Sequence, residues 1–210
     1  MDTATRPGLR ERKKQRTRDA LLRRGLELFT TRGYERTTVD EIAEAVDVSQ
    51  RTFFRYFAGK EDIVFFVQEM VESQYVTEIA RRPAEEAPVE AMRQAVMSCW
   101  DRIGASIEQL VPVELHLRTY QLIWETPALL AIHLRRSIEW EEKIARILAA
   151  REGVDPETDP RPRVAVGLFG GVMRVTERTW SAGGDLTVAA MRDLTTRHLD
   201  AIAPALARGW

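Results

Sequence analysis

The chain has 210 residues, of which 44% are hydrophobic and 30% charged, and a formal net charge of −1. That length suffices for a hydrophobic core without covalent staples, and a single cysteine, Cys99, excludes an internal disulfide framework; it sits in an apolar helical pattern, where packing in a reduced, intracellular setting is its expected role. No stretch approaches the ~18 apolar residues of a membrane span and the charged N-terminus lacks the apolar centre of a secretory signal, so no membrane contact and a cytoplasmic location are expected.

The near-neutral total hides an asymmetry. Residues 1–60 hold 14 Lys or Arg and 9 Asp or Glu, a net of +5, whereas residues 61–210 carry a net of −6. A basic module on an acidic body favours one face for docking on phosphates, and the split marks two expected domains, 1–60 and 61–210.

In chain order, Met1 to Gly8 has no periodicity and reads as a flexible tail. The basic run that follows contains Arg12, Lys13, Lys14 and Arg16. Its cations can track phosphates or enter a minor groove, although such a run is also what a solvated helix face looks like. Leu22, Leu26 and Phe29 then form an apolar stripe that Gly33 terminates, predicting a helix from about Arg10 to Arg32.

Thr38-Val39-Asp40-Glu41 is a capping box, in which the Thr hydroxyl and the Glu carboxylate each satisfy a backbone N–H of the other residue. Ile42, Ala43 and Val46 continue a short helix, and Asp47 occupies the turn, Asp being one of the few residues that tolerate a left-handed conformation. Ser49 caps a second short helix whose Phe53 and Phe57 would lock onto the first. This is the pattern of a helix-turn-helix. At about 100° per residue, Arg51 and Arg55 fall opposite the aromatic pair, so Gln50, Arg51 and Arg55 are the base-reading candidates, Arg bonding to guanine and Gln to adenine. Thr38, Thr52, Tyr56 and Lys60 are the flanking groups suited to hold phosphates.

Beyond Lys60, Ile63, Val64, Val67, Met70 and Val71 predict a helix from about Glu61 to Arg82, which Pro83 and Pro88 end. Met92 to Leu110, Pro112 to Trp124 and Pro127 to Arg151 read as further helices, the last with Glu139–Lys143 and Glu142–Arg146 pairs on its wet face. A Pro- and Asp-rich loop, Gly153 to Pro162, precedes Val164 to Met173, ten residues without a polar side chain. A helix there must be covered on every side. By period alone the run is also compatible with a buried strand, or with burial wholly inside one subunit. The preferred reading is a two-fold dimer in which Gly167, Gly170 and Gly171 allow close approach and a last helix, from about Leu186 to Leu206, contributes Leu194 and Ile202.

The order Thr, Ile-Ala, turn, Val-Ser, Thr-aromatic-aromatic, Tyr-Phe, Lys-Glu over roughly Leu9 to Ile63 resembles the DNA-binding domain of the TetR family of one-component bacterial regulators. Two residues depart from the usual pattern: Asp47 stands where the family usually has Gly, and Phe54 where it usually has Tyr, exchanging a backbone-contacting hydroxyl for an apolar group suited to a thymine methyl. The resemblance implies an all-α homodimer of about nine helices: a three-helix DNA-binding domain (1–60) that reads a palindromic operator in double-stranded DNA, and an effector-binding and dimerisation domain (61–210). It also implies that the helix after Lys60 transmits a ligand-induced shift to the reading heads.

In that arrangement Trp100, His116, Arg118, Tyr120, Trp124, Trp140 and Phe169 lie in the helices enclosing an effector cavity, and suit a hydrophobic or amphipathic small molecule. Arg118 informs only if buried, where it would need an anion such as Glu114 or a ligand group. An enzyme is not expected: His116, His133 and His198 are far apart, and no metal-ligand pair, phosphate loop or activated nucleophile is evident, so neither metal nor cofactor is expected. The reading is therefore a repressor released by its effector, with an activator or a ligand-independent silencer of the same fold as alternatives.

Overall fold

The computed structural model describes residues 8–202, the side chain of residue 103 excepted. Among these residues the fold is all-α, with no strand. Its helices are α1 (Leu9–Arg32), α2 (Val39–Glu44), α3 (Gln50–Phe54), α4 (Lys60–Arg81), α5 (Pro88–Glu108), α6 (Val113–Glu125), α7 (Pro127–Glu152), α8 (Arg161–Ser181) and α9 (Val188–Asp200). Of the expected tail, Met1 to Gly8, all but Gly8 lies outside the described residues, as does Leu206.

Local chemistry explains most of the boundaries. Gly33 ends α1 with a φ of +94°, and the capping box opens α2: Glu41 N donates to Thr38 Oγ1 at 3.2 Å and Thr38 N to Glu41 Oε2 at 2.8 Å. Thr38's hydrogen bonds, with Arg32 beyond them, hold the Glu41 carboxyl below its usual range. Asp47 makes the turn with a φ of +56°, as its position demanded, and Ser49 Oγ accepts from Thr52 N to start α3. Proline near the first turn opens α5, α7 and α8, where its missing N–H costs nothing.

Two hydrophobic cores result. The first joins Leu22, Leu26 and Phe29 of α1 and Ile42 of α2 to Phe53, Phe57, and Ile63 and Val67 of α4, reaching Ile107, Val111 and Ile123. Gly25 lets α1 and α4 approach: a Cβ there would stand 2.8 Å from Ile63 Cδ1. The second core gathers Tyr75, Ile79, Met92, Ile144, Leu148, Val166 and Phe169. Helix α4 belongs to both, which ties the reading elements mechanically to the body of the molecule.

The apolar run in α8 is helical, and its two halves differ. Val166 and Phe169 belong to the second core, while Val164 and Leu168, and Val175 just beyond the run, remain roughly half exposed, as do Leu134 and Ile138 of α7. Gly170 packs toward the Glu141 carboxylate of α7, and Ile202 lies against the second core. Both make contacts within the subunit. Gly167 fits the outer face, since a Cβ there meets nothing within 4 Å, and Gly171 and Leu194 are half-buried.

Candidate functional site

Helices α2 and α3 present a polar outer face. Gln50, Arg51 and Arg55 are all exposed, with Phe54 between them 51% exposed and packed edge-on against Phe53 at 5.4 Å. α3 ends at Phe54, so Arg55 stands on its C-terminal cap. There the guanidinium lies 5.0 Å from the Tyr56 ring and donates to Tyr56 Oη at 3.2 Å. Stacking of this kind holds a long cation in one orientation ahead of its target.

The four phosphate candidates are not equivalent. Tyr56 accepts from Arg55 and keeps its own O–H for donation, and Thr52 shares a 3.0 Å contact with Ser49. The Thr38 hydroxyl is occupied within its cap, donating to Glu41 Oε2 at 3.1 Å while accepting from Glu41 N. Lys60 Nζ donates to Tyr34 O at 2.8 Å and Thr37 O at 3.1 Å and lies 4.1 Å from the Tyr34 ring centroid, so its first role is to pin the α1–α2 connection. The basic segment is helical: Arg12, Lys13, Lys14 and Arg16 are exposed on the first turns of α1, Lys14 loosely paired with Glu11 at 3.7 Å.

Within the body, α4 to α9 enclose a cavity of about 150 Å³. Trp100, His116, Tyr120, Trp140 and Phe169 line it. Arg118 does not; it is exposed on the outer face of α6 and carries no information about a ligand. Trp124 also falls outside the lining, behind His133, its ring 5.8 Å from the imidazole. One wall is aromatic, Tyr75 lying 5.0 Å from Trp140, tilted at 31°, and 6.4 Å from Phe169, near-parallel at 19°. Burial pushes the His116 imidazole down to about 4, so it is neutral at physiological pH.

The polar end of the cavity was not foreseen. Gln68 and Glu72 from α4, His133 from α7, and Glu177 from α8 meet there, and Arg174 pairs with Glu141 nearby. Gln68 Nε2 lies 3.0 Å from His133 Nδ1, and His133 Nε2 lies 3.3 Å from Glu177 Oε2, close but out of line for a good hydrogen bond. Desolvation pushes the Glu72 carboxyl up to about 7, opposed by Arg136 and reinforced by Glu69 and Glu177. A signal for these residues was present in the sequence. Gln68 lies four residues after Val64, His133 four after Leu129 and Glu177 four after Met173, each a polar group on an apolar stripe.

Residues 21–66 match the family model described as bacterial regulatory proteins, tetR family, and residues 86–207 match the MftR C-terminal domain. The HTH-type transcriptional regulator TcmR of Streptomyces glaucescens is 44% identical over 97% of this chain and 90% of its own. The chain belongs to the TetR family. As a TetR-family member it is a DNA-binding transcriptional regulator, and the solved TetR-type structures agree in fold. A transcriptional regulator from Aquifex aeolicus VF5 superposes with a TM-score of 0.55 at 15% identity, covering 89% of this chain and 99% of the other. The SmeT–triclosan complex superposes with a TM-score of 0.60 at 17% identity, covering 89% and 91%. Among the described residues no helix is long and apolar enough to cross a membrane.

Proposed function

We propose that this TetR-family regulator is a homodimeric repressor that leaves a palindromic operator when a small hydrophobic or amphipathic molecule fills the cavity between α4 and α9. The observation that carries this reading is the reach of one helix. α4 begins at Lys60, which holds the base of the helix-turn-helix, and within a few turns supplies Gln68, Val71, Glu72 and Tyr75 to the cavity wall. A ligand that moves α4 by a small angle moves the reading helix with it. In a dimer, whose two α3 helices must enter major grooves about 34 Å apart, that shift breaks the register.

In this reading residues 1–60 form the DNA-binding domain and residues 61–210 the effector and dimerisation domain. Gln50, Arg51 and Arg55 read base edges, Phe54 contacts a thymine methyl, and Tyr56, Thr52 and the cations of α1 hold phosphates. The remaining N–H of Lys60 is directed to the backbone in the complex. The outer face of α8, with Val164, Leu168 and Val175, meets its two-fold copy, Gly167 and Gly171 permitting close approach.

The test is selection of bound sequences from random duplex DNA at stated salt, with wild type beside the Arg51→Ala, Arg55→Ala double variant. A palindrome enriched by wild type and lost by the variant is expected, and the recovered site then serves in an effector-release assay. Binding that is weak, unselective and salt-limited only would refute the sequence-reading role. An operator found upstream of, and not across, a promoter would favour activation over repression.

A further inference from the structure

The polar end of the cavity has a defined hydrogen-bond polarity. Glu177 Oε2 stands 3.3 Å from His133 Nε2 without completing a hydrogen bond. Gln68 places its amide nitrogen, a group that only donates, 3.0 Å from His133 Nδ1. This orients the whole amide and leaves Gln68 Oε1, which is buried, with no donor. Glu72 adds a second acceptor group on the same helix, one turn further on. Among the described lining residues three carboxyls, Glu72, Glu141 and Glu177, face a single guanidinium, Arg174, which Glu141 already neutralises. The indole N–H of Trp100 is the opposite case, a buried donor without an acceptor.

A buried acceptor without a donor costs free energy that a ligand can recover, and a carboxyl in a desolvated site favours a cation or a neutral donor and repels an anion. Resting on the reading of this cavity as the effector site, we infer that it takes a flat, largely apolar molecule bearing a hydrogen-bond donor group, an ammonium or a hydroxyl, that meets Gln68, Glu72 and Glu177, and that it rejects carboxylates. The body of the molecule lies along the Tyr75, Trp140 and Phe169 rings, and a neutral carbonyl or ether oxygen on it satisfies Trp100.

Three matched probes test this in the full-length protein: anthracenylmethylamine, anthracenylmethanol and anthracenecarboxylate, titrated at about pH 8, where the first is a cation and the last an anion. Binding is read from quenching of tryptophan fluorescence. The amine and the alcohol are expected to bind, the carboxylate at least tenfold more weakly; the order of the first two separates ammonium from hydroxyl recognition. In the Glu72→Gln, Glu177→Gln double variant the amine–carboxylate difference should shrink, while the Gln68→Leu variant should weaken the amine and the alcohol alike. A carboxylate that binds as tightly as the amine overturns the inference and leaves the effector cavity standing. Failure of all three probes overturns both. Because the wild-type ranking is the primary result, a variant that fails to fold does not protect the inference.

Discussion

Replacing Glu72 by Gln tests the electrostatics of the cavity without changing its shape. Glu72 sits on α4 in a largely desolvated site, and burial pushes its carboxyl from the usual 4.5 up to about 7, with Arg136 and His133 pulling it down and Glu69 and Glu177 pushing it up. Between these two values the folded protein binds a proton that the unfolded chain does not, so stability falls as pH rises through this window. The full displacement corresponds to about 3 kcal/mol, at about 1.36 kcal/mol per pH unit. Glutamine keeps the size and hydrogen-bonding of the protonated acid and never ionises. At about pH 5 the Glu72→Gln variant should therefore be more stable than wild type by less than about 1 kcal/mol, and at about pH 8 by about 3 kcal/mol. For a chain of this size that is a rise in Tm of about 6 to 12 °C. Melting curves of both proteins across this range, followed by circular dichroism, supply the comparison. A stability difference that stays constant from pH 5 to pH 8 would refute the reasoning, because it would mean that Glu72 ionises as freely in the fold as outside it.

Other outcomes follow from single contacts. Gly25→Ala places a methyl group 2.8 Å from Ile63 Cδ1 in the α1–α4 contact and should cost about 1 to 3 kcal/mol in urea unfolding, partly recovered by adding Ile63→Val. Thr38→Ala removes the α2 capping box and should cost about 1 kcal/mol, a loss visible in the same assay at any pH where Glu41 is charged. At Asp47, with its φ of +56°, glycine should raise Tm and valine lower it by at least about 1 kcal/mol equivalent; equal melting of the two variants would argue against backbone strain at this turn. Arg55→Ala should relax discrimination at one base pair per half-site by about 1 to 3 kcal/mol, measured by competition between single-position operator variants.

The sequence alone determined the elements whose cause is local. The capping box at Thr38–Glu41, the Ser49 cap, the left-handed Asp47 and the apolar stripe of α1 each depend on residues within about a turn of one another, and such interactions act on the chain before tertiary packing does. The family resemblance in residues 9–63 rests on those same local features, and the long C-terminal helices followed from period and proline. What only the tertiary structure decided is how side chains distant in the sequence share an environment. Helical period alone does not say which of several apolar or aromatic faces borders a void, so Trp100, Tyr120 and Trp140 reach the cavity while Trp124 stands behind His133 and Arg118 is left in solvent. The acceptor-rich pole needs Gln68, His133 and Glu177, which lie on three different helices and become a site only where those helices converge. Lys60 shows the same limit from the other side: its charge suggested a phosphate contact, but the backbone carbonyls of Tyr34 and Thr37 claim two of its donors first. Those carbonyls belong to the α1–α2 connection, more than twenty residues earlier in the chain, and only folding brings them within reach of the ammonium group.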